Sequence, residues 1–310
     1  MSYATIIKQV GRGRDGARAI PRAEAAALFG DMLDGRVPDV HLGALLLAYR
    51  IKGESLQELA GFLDALHARV PVIAGSGRTV VIPTYNGART MANLVPLLAL
   101  ALAQRGVPVL LHGVTQDPGR VTTSEILAAL DVPACASASH AAHALAHRLL
   151  AFLPIDRLAP GLARLLDLRR VLGVRNSAHT VAKMLTPVAA PLLLAAATHP
   201  DYLATLRDHY AAHPAQVLLM RGTQGEAVAN ARRAQAIDWL HDGLAERVVD
   251  AEEGSVLALP ELPALDAAST AAWTRRVLSG EAPMPAPIAR QIDAIVRVAT
   301  GARQHAERAA

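Results

Sequence analysis

Arginines and lysines with no acid close by in sequence are the residues of this chain best placed to do chemistry. No Asp or Glu occurs from residue 65 to 116, a stretch carrying Arg69, Arg78, Arg89 and Arg105. None occurs from 168 to 200 either, where Arg169, Arg170, Arg175 and Lys183 stand. Acids collect instead towards the C-terminus, at Glu246, Asp250, Glu252, Glu253, Glu261 and Asp266. Charge segregated in this way sets up a directional field that draws anions. The 168–200 cations are the first candidates for holding a polyanion, since no local acid neutralises them. Lys8, Arg12, Arg14 and Arg18 surround Gly11 and Gly13, where the backbone can approach a phosphate closely. A solvated helix end accounts for that second group equally well.

His140, His143 and His147 recur at three- and four-residue spacing on one expected helix face, which could bind a metal. No carboxylate or cysteine joins them except the distant Cys135, so solvated histidines and no metal are expected. His112 and His179 lie in loops and read as hydrogen-bonding residues rather than acid or base. Aromatics are only 3% of the chain, too few for base-stacking platforms, so contact through phosphates fits better. A single cysteine cannot form an internal disulfide, and no apolar run near Met1 reads as an export signal, so a cytoplasmic location is expected. The apolar runs 94–103 and 187–197 are too short to cross a bilayer, so no membrane partner is expected, and both read as buried helices.

These residues need a scaffold, and 310 residues allow one small and one large domain. Residues 1–72 read as four helices: 2–11, 21–33, a third after Asp39 ending at Gly53, and a fourth opened by the capping box Ser55-x-x-Glu58. Short turns between them predict a small bundle, with 165–190 packing near it. From 73 to 310 strands alternate with helices. The expected strands are 79–83, 107–112, 149–153, 216–220 and 256–259; a helix runs from about 89 to 104, and another opens at Thr122-x-x-Glu125. That order predicts an α/β domain with a mostly parallel sheet covered by helices, and ligands at the loops after strand C-termini.

Three such loops, 82–93 (IPTYNGARTMAN), 111–120 (LHGVTQDPGR) and 172–187 (LGVRNSAHTVAKMLTP), are similar in order and spacing to those of anthranilate phosphoribosyltransferases and their nucleoside phosphorylase relatives, the glycosyltransferase family 3 fold. The resemblance implies a pyrophosphate cradle after the first strand, with Thr84, Asn86, Gly87, Asn93, His112, Gly113, Asn176 and His179 lining a vestigial substrate pocket. The departures fall where the chemistry would be. The family's Gly-Thr-Gly-Gly-Asp becomes Pro83-Thr84-Tyr85-Asn86-Gly87, Val95 and Pro96 replace hydroxyl residues, and Leu111, Val114 and Thr115 replace Lys, Asn and Arg. The magnesium-holding Asp-Glu pair falls near Glu226-Ala227-Val228, which keeps one displaced acid. Pyrophosphate departure needs Mg²⁺, and Mg²⁺ needs carboxylates, so the cofactor expected is none and no catalytic residue is assigned.

A divergent branch, the YbiB-like proteins, is similar over further blocks: Ile6-Ile7-Lys8 to Gly11-Arg12-Gly13, Arg50 to Glu54, Tyr85 to Arg89, and Gly173 to Thr180. That resemblance implies a homodimer that binds DNA or RNA without sequence preference. The contacts would come from Lys8, Arg12, Arg14, Arg89, Arg169, Arg170, Arg175, Lys183 and Arg221. Apolar residues of the first and third helices (Ile6, Ile7, Val10; Leu42, Leu45, Leu46) exceed what a small bundle is expected to bury, and are expected at the dimer face. The alternatives are a phosphoribosyltransferase with an altered site, and a sensor that binds a small anion without turning it over.

Overall fold

The computed structural model describes residues 2–75, 78–213, 215–253 and 261–301. Helices α1 (Tyr3–Val10), α2 (Gly13–Gly16), α3 (Arg22–Leu33), α4 (Asp39–Lys52) and α5 (Leu56–His67) come first. Then follow β1 (Thr79–Thr84), α6 (Val95–Gln104), β2 (Val109–Gly113), α7 (Thr123–Ala129), α8 (Ala138–Arg148) and β3 (Leu150–Pro154). Four short helices come next: α9 (Ile155–Leu158), α10 (Pro160–Asp167), α11 (Arg169–Leu172) and α12 (Ser177–Ala182). The chain closes with β4 (Pro191–Ala197), α13 (Pro200–Ala212), β5 (Gln216–Arg221), β6 (Ile237–His241), β7 (Leu244–Val249), α14 (Ala267–Ser279) and α15 (Ala286–Thr300). None of the described helices is long and apolar enough to cross a membrane. The expected strand 256–259 lies outside the described residues.

Met1–Val72 and Ile155–Pro187 form one unit, which is therefore all helical and discontinuous in sequence. Its centre is aromatic, with the Phe29 and Phe62 rings stacked at 4.6 Å and Tyr49 edge-on to Phe62 at 5.3 Å. Gly61 lets α5 lie against α3, because a Cβ there would come within 2.3 Å of the Arg22 carbonyl oxygen. The Ser55 capping box is complete, and its Glu58 does more than cap. That carboxylate is fully buried and accepts from Ile20 N–H (3.1 Å), Ser55 N–H (2.8 Å) and Lys52 Nζ (2.6 Å), which satisfies the charge where it sits. Ile6, Val10, Leu42, Leu45 and Leu46 are buried inside this unit. They are not the surplus expected at a dimer face, because α1 packs on α4 and α12 adds cover to α4, while Ile7 is half-buried.

Ile73–Pro154 and Val188–Ala310 form the second unit around a seven-stranded sheet of order β3-β2-β1-β4-β5-β6-β7. The first five positions are parallel, with Val80 opposite both Val109 and Leu192, and β6 and β7 complete an antiparallel edge. Residues 187–197, expected as a helix, instead hold β4, paired on both sides at mid-sheet. A parallel strand covered on both faces reads as an unbroken apolar run, and Ala and Leu made this one look helical. Likewise α6 starts only at Val95, leaving 85–94 as a loop, and Pro38 rather than Asp39 is the N-cap of α4. The β6–β7 hairpin was not foreseen, although Asp242-Gly243, with φ of 49° and 76°, is a strong two-residue turn.

Candidate functional site

The loop after β1 turns its backbone donors inward, as an anion cradle would. Asn86 N–H and Gly87 N–H converge on one acceptor, Glu226 Oε1, each at 2.7 Å. Gly87 has φ +61°, and a Cβ would lie 2.9 Å from the Val121 carbonyl oxygen, so only glycine suits this position. The next two donors, Arg89 N–H and Thr90 N–H, both meet Gln224 Oε1, at 2.8 and 2.7 Å, and the Thr90 hydroxyl joins them at 3.0 Å. Gln224 Nε2 donates in turn to the Met91 carbonyl at 3.0 Å, and Asn86 Nδ2 to that of Gly225 at 2.6 Å. Glu226 and Gln224 lie in the turn after β5, shaped by Gln224 at φ +54° and Gly225 at +89°. A buried carboxylate of the chain itself thus fills the cradle that these N–H groups form.

This corrects the expectation that no acid serves the loop. The acid comes from 139 residues further along the chain, so local charge counting could not find it. Gln224 was missed outright. The spacing Arg221-Gly222-x-Gln224-Gly225-Glu226, a polar turn after an apolar strand, was its only signal.

Thr84, Asn86, Gly87, Asn93, His112 and Gly113 do come together, but they bond to their neighbours. Thr84 and Thr123 hydroxyls meet at 2.6 Å, Asn93 Nδ2 donates to Thr123 Oγ1 at 3.0 Å, and Asn93 Oδ1 accepts from Val95 N–H at 3.1 Å. The Tyr85 hydroxyl and His112 Nδ1 are hydrogen-bonded at 2.6 Å, both groups buried. Burial, with the Glu226 charge behind it, pushes the Tyr85 hydroxyl well above its usual range and keeps it protonated. At Gly113 a Cβ would come within 1.8 Å of the Thr84 carbonyl oxygen, so that glycine serves strand packing. Among the described residues no three of His, Cys, Asp or Glu gather where a metal could sit. Glu226, the carboxylate that serves the loop, gives its Oε1 to two backbone N–H groups.

The remaining candidates belong to the helical unit. Gly173, φ +73°, ends α11. Asn176 then caps α12, accepting from Ala178 N–H at 3.0 Å and donating to the Leu165 carbonyl at 2.9 Å. His179 sits one turn in. Burial, and then Arg175, Arg169 and Lys183, hold its pKa near 3. Three cations of the acid-free stretch therefore share one neighbourhood. Arg170 is exposed and only 3.8 Å from Asp167, itself exposed, so this cation has a loose acidic neighbour after all. Lys8 and Arg12 are exposed on α1 and just beyond it, with Arg12 Nε donating to the Lys8 carbonyl at 3.1 Å. Arg14 stands in α2, its side chain outside what is described. Arg89 and Arg221 are exposed in the sheet unit. His143 and His147 rings lie 4.2 Å apart, and His140 caps back towards Ala136 N–H instead of joining them.

Residues 4–70 match the glycosyl transferase family helical bundle domain. The chain is 40% identical to the uncharacterized protein YbiB of Escherichia coli, over 97% of this chain and 95% of that one. It is 30% identical to an anthranilate phosphoribosyltransferase of Methylobacterium nodulans, over 84% of this chain and 79% of the enzyme. Among solved structures, anthranilate phosphoribosyltransferase (TrpD) of Thermus thermophilus is similar in fold, with TM-score 0.76 and 21% identity over 96% of this chain and 88% of that one. The Saccharomyces cerevisiae enzyme in complex with PRPP and Mg is also similar, with TM-score 0.72 and 12% identity over 97% and 89%.

Proposed function

This chain belongs to the family that holds YbiB and the anthranilate phosphoribosyltransferases, and on that premise we propose that it binds nucleic acid without regard to sequence, as a cytoplasmic homodimer that has given up phosphoribosyl transfer. One observation supports the binding half of this reading: the charges of Arg175, Arg169 and Lys183 all act on His179, they belong to a sequence stretch without acids, and Arg170 next to Arg169 is exposed. Cations gathered in this way suit a phosphate backbone. The loss of transfer rests on the β1 loop, whose inward donors are taken by Glu226 and Gln224. Transfer by an altered site is the second reading, favoured by the conserved order of loops. It requires the turn after β5 to withdraw first.

Dimerisation, in this reading, uses the outer face of α4. Val40, Leu47 and Ile51 are 85%, 40% and 66% exposed, and their spacing puts them on one stripe.

The test is fluorescence anisotropy with labelled duplexes of unrelated sequence over a salt series. About four phosphate contacts per dimer give a slope of log K against log salt near −3 to −4, equal for all sequences. Replacing Arg169 and Arg170 by Glu weakens every duplex together and flattens the slope. Salt-independent binding, or a double variant that binds as the parent does, rejects the assignment. Turnover of anthranilate with PRPP and Mg²⁺ would restore the enzyme reading.

A further inference from the structure

A cavity of about 370 Å³ lies in the sheet unit, away from the loops after β1 and β5, between α6, α8 and the start of edge strand β3. We propose that it binds a small organic acid, a single carboxylate on an apolar body about the size of one aromatic ring. The volume is in the range of small-molecule sites, and the walls dictate the chemistry. Leu100 and Ala103 from α6, Ala144 from α8 and Leu150 from β3 make an apolar floor, and Gln104 at the end of α6 is the one polar side chain on that wall.

The guanidinium and the imidazole stand together on one helix. His140, Ala144 and Arg148 recur every four residues on α8, so a single helix face presents two of the polar groups above the floor. His140 Nδ1 accepts the Ala136 N–H at 3.2 Å, which leaves the proton of the neutral ring on Nε2 as a donor. The one acid in the lining, Asp131, is held 2.8 Å from Arg275, so its charge is already answered. Arg148 makes no ion pair among the described residues. The pocket therefore offers a guanidinium and an imidazole N–H over hydrocarbon. A carboxylate matches the guanidinium fork, whereas a nucleotide or phosphate dianion would leave charge against the floor.

Cys135 closes the wall, 3% exposed, its N–H donating to the Phe152 carbonyl at 2.7 Å. Burial raises its thiol, so it reacts slowly at neutral pH and no covalent step is implied for the pocket itself. As the only cysteine of the chain, it reports on the pocket without background.

The experiment follows alkylation of Cys135 in the full chain with a maleimide, with benzoate, hexanoate or uncharged benzamide present, alongside calorimetric titration of the same compounds. Benzoate should slow alkylation by the factor 1 + [L]/Kd, about elevenfold at ten times Kd, while benzamide does little. Arg148→Ala, an exposed change that leaves the fold intact, should weaken benzoate at least about tenfold by both readouts. Equal protection by benzamide overturns the proposal. So does an unchanged Kd in Arg148→Ala, or the absence of any benzoate heat in the parent.

Discussion

Replacing Glu226 by alanine isolates what the resident carboxylate does. In the parent it accepts two backbone N–H bonds at 2.7 Å inside a buried loop. Each donor left unsatisfied there costs about 1–3 kcal/mol, so the pair costs roughly 2–6, centred near 4 kcal/mol. For a unit of this size about 2–4 °C of Tm goes with each kcal/mol, which gives a drop of about 8–16 °C by far-UV circular dichroism. Glu226→Gln keeps an acceptor oxygen and loses only the charge assistance, so it should fall about half as far. The alanine variant also exposes a vacant pair of donors, which inorganic phosphate can reach. At ten times its Kd phosphate should return about 1.4 kcal/mol to that variant and nothing to the parent. A variant that melts with the parent refutes the latch. A parent stabilised by phosphate as much as the variant shows that Glu226 does not occupy the anion position.

Breaking the other buried carboxylate, by Glu58→Ala, should cost about 3–5 kcal/mol in urea unfolding, since the largely buried Lys52 would lose its counter-charge and keep only the Gly53 carbonyl. His179 is held near pKa 3 against an ordinary 6.5, so the unfolded chain takes up a proton that the folded chain refuses. Its contribution is complete above pH 6.5 and is lost as pH falls towards 3; His179→Gln should flatten the stability profile in that window. Leu47→Glu with Ile51→Glu should convert a dimer to monomers by light scattering and leave a Tm that no longer depends on protein concentration, because both side chains are exposed in the single chain.

Where signals are local, sequence and structure agree closely. Both capping boxes, at Ser55 and Thr122, close as their four-residue patterns require, and Gly53 ends α4 at φ +79°. Where meaning depends on distant neighbours, the agreement fails. β4 has the composition of a helix and becomes a strand because β1 and β5 flank it. Glu226 appears in sequence as a leftover acid and turns out to complete a loop on another strand. The cation cluster was legible because its defining feature, an absence of acids, can be counted along the chain. Asp167, one residue outside that count, escaped it.

The interrupted helical unit also bears on how the chain must be made. Gly161 sets α10 against α3, where a Cβ would come within 2.3 Å of the Leu33 carbonyl oxygen, and Arg164 bonds to the Met32 carbonyl. Those partners leave the ribosome about 130 residues after the segments they complete, with the first three strands emerging in between. The domain matched over residues 4–70 is thus a recognition unit of evolution and not a unit of synthesis. Expressed alone, it would display the apolar ground of α3 that α10 is built to cover. In the cell, the nascent α3 and α5 must wait through much of the sheet's translation before their last neighbours arrive.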